Sequence, residues 1–306
     1  MTQFIVRRIL IAIPVLWAVL TLVFFSIHLV PGDPVTVMLS GHGTKADVIR
    51  LRHELGLDRP LVQQYADFMR GAVHMDFGNS IVSQQPVSHE IWVRLPYTAE
   101  LAGSAFVLAL MVGVTSGILA AVFNRTLMGT AITGFAVLGI SVPEFFLGTL
   151  LALLFGVYLG WLPVAGAQGF SSLVLPSVSL ALAISATLTR LIRATMVDSM
   201  GQDYIRTARA KGVKRRTVLV RHVLRNALIP VATVMGLTMA YLLGGAAIIE
   251  IVFARPGLGT LAINAASARD FPVVQGTAFF FAVVLITANL LVDILYGFLD
   301  PRIRYS

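Results

Sequence analysis

Residues 97–123 read YTAELAGSAFVLALMVGVTSGILAAVF, a run in which Glu100 is the single charged side chain. At about 1.5 Å of rise per residue, a helix of this length spans the ~30 Å hydrocarbon core of a bilayer and satisfies every backbone N–H and C=O internally. The rest of the chain is of the same kind. Of its 306 residues 57% are hydrophobic and 12% are charged, and the mean hydropathy is +0.84. That is more apolar surface than one soluble domain of this size buries. The bilayer is therefore the solvent, and the expected class is an all-α integral membrane protein.

Working outward from this run, apolar stretches of comparable length cover 9–30, 130–160, 173–194, 228–251 and 273–299. Together with 97–123 they predict six transmembrane helices. An even number of spans puts both termini on one side. Arg7 and Arg8 precede the first run as they would in a secretory signal, but the run is longer than the about 7–15 apolar residues of such a signal and lacks a clear small-residue cleavage site. It is read as a retained helix. Lys and Arg are held on the cytoplasmic face far more readily than they cross. Placing the termini inside puts Arg7, Arg8, Arg125, the basic residues of 190–225, Arg302 and Arg304 there, the greater part of the 23 Lys and Arg. The expected topology is N-in and C-in. It comprises a first segment 1–30, an extracytoplasmic lid 31–95, a five-helix core 96–299 with a cytoplasmic loop 195–227, and a tail 300–306.

The lid carries its own helix signals: Thr44 as a cap for 45–55, Pro60 at the start of 61–70, and Gly71 as a stop. Its histidines, His42, His53, His74 and His89, lack metal-ligand spacing, and His89-Glu90 is not continued as a zinc-protease motif. The chain has no cysteine, so no thiolate site exists; no metal site is expected. No Gly-x-x-x-x-Gly-Lys-Ser/Thr loop occurs, so nucleotide phosphates are not cradled here in the P-loop manner. Small residues recur every fourth position at Ala109, Gly113, Gly117 and Ala121, at Gly148, Ala152, Gly156 and Gly160, and at Gly236, Ala240 and Gly244. Such stripes let helices approach closely in lipid, either as static packing or as a surface sliding against a partner.

The loop joining the fourth and fifth spans contains Asp203, Tyr204, Ile205, Arg206, Thr207, Ala208, Arg209, Ala210, Lys211 and Gly212. Asp203 is a suitable N-cap, the following residues allow two helical turns, and Gly212 is a natural C-terminal stop. Residues 190–225 hold ten basic residues against two acidic ones, with Ala208 and Ala210 leaving small surfaces between charges. A solvated positive-inside loop explains the charge alone. The cap, the short helix and the glycine favour a docking helix instead. Nucleic acid is not expected, because no binding motif accompanies the charge.

These residues, followed by Arg225-Asn226-Ala227-Leu228-Ile229-Pro230, resemble the cytoplasmic loop of the dipeptide, oligopeptide and nickel importer permeases of the ATP-binding-cassette class. Further segments share the resemblance: Pro31-Gly32-Asp33-Pro34, Leu55-Gly56-Leu57-Asp58, Pro256-Gly257-Leu258-Gly259, Asp270-Phe271-Pro272-Val273-Val274-Gln275 and Asp300-Pro301-Arg302. In place of the Glu of the general importer motif this chain has Arg206. The resemblance implies a type I importer permease bundle and a cytoplasmic membrane location. It implies a second homologous permease, two ATPase subunits that bind ATP and Mg, and an extracytoplasmic substrate-binding protein. Residues 203–212 would then couple to an ATPase, and Asp33, Pro256, Gly257 and Gly259 would face the binding protein. Peptides are the implied cargo, with no cofactor and no catalysis in this chain.

Within the bilayer, Glu144 follows Pro143 where the third span is interrupted at Ser141. A charge at mid-depth costs about 2.5–3.5 kcal/mol unless it faces protein or water. Ser141, Pro143 and Glu144 are therefore pathway candidates, the alternative being a structural carboxylate. Glu100 and Glu250 fall near outer span ends and read as interfacial. A self-contained secondary transporter or an intramembrane enzyme stays as the alternative reading, although no Gly-x-Ser-x-Gly elbow is present.

Overall fold

The computed structural model describes residues 2–29, 45–54 and 56–299. Asp33, the Thr44 cap and the tail 300–306 lie outside them. Every extended element is helical. Helix α1 covers Thr2–Leu29, and the next segment holds α2 (Lys45–Glu54) and α3 (Leu61–His74). The core helices are α4 (Val87–Val122), α5 (Leu127–Ser141), α6 (Glu144–Leu151), α7 (Ser171–Met200), α8 (Asp203–Ala210), α9 (Arg225–Gly245), α10 (Ala247–Val252), α11 (Leu258–Ala268) and α12 (Phe271–Leu299). Helix α6 continues as a π-helix over Ala152–Tyr158, and another π-helix, Val218–Leu224, leads into α9.

Three helical stretches, Val87–Val122, Ser171–Met200 and Phe271–Leu291, are long and apolar enough to cross a bilayer. Two bent pairs, each taken as one span, raise the number to five among the described residues, and α1 adds a shorter apolar stretch, Leu10–Phe25. The third expected span is not one rod: α5 and the α6 unit meet at 99°. Pro143 disfavours helical geometry at the residue before it, and Val142 is extended at φ −93° and ψ 123°. The helix restarts at Glu144, where Pro143 supplies no N–H to waste. The fifth bends by 46° beside Pro230, which sits inside a continuing helix, lacks the N–H for the i→i−4 bond and crowds the carbonyl one turn before it.

Two boundaries differ from expectation. Helix α3 runs through Gly71 and stops at Met75, which takes the left-handed C-cap at φ 56°. Gly71 serves close approach instead: Asp76 N–H closes on its carbonyl at 2.9 Å, and a Cβ there would stand 2.2 Å from Asp76 O. Helix α4 begins well before the apolar run, at Val87, so polar residues such as His89 and Arg94 form its first turns.

Helices α4 and α7 form the most extensive contact, along the first small-residue stripe. Ala109, Gly113, Gly117 and Ala121 are all buried. A Cβ on Gly113 would stand 2.7 Å from Leu188 Cβ, and one on Gly117 2.7 Å from Ile192 Cβ. This stripe is an internal seam of the chain, held by dispersion and backbone proximity. Outward faces stay apolar: Leu127 is 90% exposed and Phe135 76%, as suits helices solvated by lipid.

Candidate functional site

Helix α8 ends in a two-bond cap. Gly212 N–H donates to Arg209 O at 3.0 Å and Val213 N–H to Ala208 O at 3.2 Å, the pairing of a Schellman motif. Gly212 supplies the left-handed φ of 76° that this motif requires, and nothing lies within 4 Å of where a Cβ would be. The glycine is thus demanded by backbone conformation, not by space. At the other end Gln202 holds the cap position without a side-chain bond, and Asp203 is the first helical residue, 3.6 Å from Arg206. The N-cap assignment to Asp203 moves by one, and its charge still favours the helix start.

One side of α8 is anchored. Ile205 is fully buried with Met196, Val218, Val223 and Ala227, and Ala208 packs against the same cluster. Asn226 donates to the Tyr204 hydroxyl at 3.1 Å. Arg206, Thr207, Arg209, Ala210 and Lys211 remain exposed. The short helix is therefore rigidly attached to α7 and the start of α9, with its basic face free. Ala208, expected to leave surface for a partner, is half-buried against this cluster.

The break between α5 and α6 opens a cavity of about 630 Å³, walled by α7 and α9. Pro143 and Glu144 line it; Ser141 does not, and its hydroxyl turns back to Val137 O at 2.9 Å. Tyr241, on α9, donates its hydroxyl proton to Glu144 Oε1 at 2.6 Å. No sequence pattern links these two, since they lie 97 positions apart.

Near the α10–α11 turn, Glu250 is wholly buried, not interfacial. Its Oε1 accepts from Thr98 Oγ1 at 2.6 Å and its Oε2 from Thr260 N at 2.9 Å, while Thr98 accepts from Leu258 N at 2.8 Å. Gly257 and Gly259 are buried in this cluster: a Cβ on Gly257 would stand 2.1 Å from Glu250 Oε1, and one on Gly259 2.4 Å from Ala247. Pro256 is exposed. Arg255, 2% exposed, reaches Glu100 at 3.6 Å. Burial pushes the Arg255 guanidinium down from its usual range, opposed by Glu100 and then Glu250.

Asp270 ties the end of the α3–α4 connection to the start of α12. Its carboxylate accepts from Ser80 Oγ at 2.5 Å and from the N–H groups of Ile81 and Val82 at 3.1 and 3.3 Å. Among the described residues no group of three or more His, Asp or Glu is placed to hold a metal ion. His53 pairs with Asp58 and His74 with Arg70 O.

Comparisons with known proteins give one answer. Residues 113–305 match the family described as binding-protein-dependent transport system inner membrane component, and residues 1–102 match the N-terminal model of such components. The chain is 44% identical over 307 residues to the glutathione transport system permease protein GsiC of Escherichia coli (strain K12), covering all of both chains. It is equally similar, over 315 residues and again all of both chains, to a protein of Brucella abortus (strain 2308) provisionally named a peptide transport system permease. Among solved structures, an inward-facing form of the MetNI methionine ABC transporter superposes with a TM-score of 0.55 at 15% identity, covering 69% of this chain and 96% of that one. That likeness concerns the fold.

Proposed function

The chain belongs to the family of binding-protein-dependent transport system inner membrane components, and on that premise we propose that it forms half of a translocation pathway for peptides, including glutathione-like tripeptides, driven by separate ATPase subunits. The observation that carries the coupling is α8: a capped two-turn helix fused to the bundle through Ile205, with Arg206, Arg209 and Lys211 outward. Rigid attachment on one face and exposed charge on the other suit a lever. An ATPase gripping residues 203–212 would move α7 and α9 as one body, giving alternating access.

In this reading the bundle crosses the membrane six times with both termini inside, and α1 is the first crossing. A second homologous permease closes the open side of the Glu144 cavity. Residues 31–95 and the exposed Pro256 face a substrate-binding protein, with Asp33 on the same side. The buried Gly257 and Gly259 would shape that loop rather than touch the partner. Selectivity rests largely with the binding protein, and the chain performs no catalysis.

Extraction of the tagged chain in mild detergent, followed by mass spectrometry of whatever co-purifies, tests this. An ATPase and a second permease in comparable amounts are expected. Recovery of the chain alone across several detergents would favour a self-contained transporter.

A further inference from the structure

The side chains that line the cavity at the α5–α6 break carry one sign of charge and offer an occupant one kind of hydrogen-bonding group. Glu144 is the sole carboxyl side chain that lines it among the described residues, and no Lys, Arg or His does. Its other polar lining is Tyr241, Thr187 and Thr238. Each of these hydroxyls has already committed its proton: Tyr241 to Glu144 Oε1, Thr187 to Ala183 O at 3.2 Å, Thr238 to Val234 O at 2.7 Å. What the side chains leave for an occupant is lone pairs, on Glu144 Oε2 and three hydroxyl oxygens, beside the uncapped first N–H groups of α6. The remaining lining is apolar. The partial positive charge at the start of α6 is offset by Glu144 itself, its first residue.

Resting on the pathway reading above, we propose that this cavity is an ammonium subsite, taking the free amino terminus or a lysine-type amine of the passing cargo. An ammonium group brings three donors and no acceptor, the complement of these side-chain acceptors. A cargo carboxylate would meet like charge and no side-chain donor. The cation preference rests on Glu144 alone, because the hydroxyls contribute acceptors without net charge.

The absence of native cysteine allows a direct test in the assembled complex in its own membrane. Thr187→Cys places a thiol in the cavity wall. Its rates of modification by a trimethylammonium and a sulfonate methanethiosulfonate are compared, each normalised to a free thiol in solution. The cationic reagent is expected to be favoured by about tenfold, the lower end of what a one-sign cleft gives. Adding Glu144→Gln should abolish that preference, and Tyr241→Phe should keep it. A normalised ratio near one, or a ratio that Glu144→Gln leaves unchanged, overturns the ammonium subsite while the cavity stays a water-filled pathway. Failure of both reagents to react means water does not enter, which overturns the pathway reading and this inference together. The ratio measured with Glu144 present needs no second variant to fold.

Discussion

The Thr98 hydroxyl donates to Glu250 Oε1 across 2.6 Å, joining α4 to α10 over 152 positions of sequence, and both residues are buried. Thr98 also accepts the N–H of Leu258. One hydroxyl thus satisfies a buried carboxylate and the first amide of α11.

Thr98→Val keeps the shape and removes both bonds, leaving the Leu258 N–H without a partner, at about 1–3 kcal/mol, and Glu250 held by Thr260 N–H alone. The apparent melting temperature in detergent should fall by several degrees, and Thr98→Ser should restore most of it. Equal melting of the valine variant and the parent would mean the network does not support the fold.

Gly257→Ala puts a methyl into the Glu250 carboxylate, whereas Gly244 has nothing within 4 Å. Size-exclusion profiles should show loss of monodisperse protein for the first substitution and a normal peak for Gly244→Ala. The reverse pattern would contradict the geometry around Glu250.

Gly212→Val forces a β-branched residue into the left-handed region, at a cost of roughly 1–2 kcal/mol or more, and frays the cap of α8. Substrate uptake should be abolished while the amount in the membrane is unchanged. Asparagine tolerates this conformation, so Gly212→Asn should retain part of the activity. Unchanged uptake in the valine variant would count against a coupling role for α8.

Single cysteines along α8 should cross-link to an ATPase subunit from the exposed positions Arg206, Thr207, Arg209 and Ala210. Ile205 and Ala208, turned into the bundle, should give little product. Failure everywhere from Tyr204 to Lys211 would remove the coupling assignment, and strong cross-linking from Ile205 would mean that α8 detaches.

Asp270→Ala releases the Ser80, Ile81 and Val82 contacts that pin the turn before α4. Limited proteolysis of the detergent-solubilised protein should then cleave near Gln84 and Gln85 several-fold faster. An unaltered rate would show that the neighbouring packing holds the turn without the carboxylate.

The apolar runs, the basic loop and the glycine stop were legible in the sequence because each rests on local physics. A bilayer demands about 20 apolar residues in succession, charge asymmetry reports the side, and a left-handed C-cap calls for glycine within one turn of the helix it ends. Pro143 likewise announced an interruption, though not that α5 and α6 would meet at 99°.

What the sequence alone determined, then, is a helical membrane protein with a short basic helix ended by a glycine and a carboxylate at a broken span. Only the tertiary structure decided the partners of its carboxylates: Glu144 with Tyr241, Glu250 with Thr98, Asp270 with Ser80. Those pairs join residues 97, 152 and 190 positions apart, and no local periodicity encodes them. The two buried pairs, at Glu250 and Asp270, follow from how helices stack where no water reaches, so that each must find its complement on whichever segment packing brings alongside, and Glu144 meets Tyr241 because the same packing sets α9 across the break between α5 and α6.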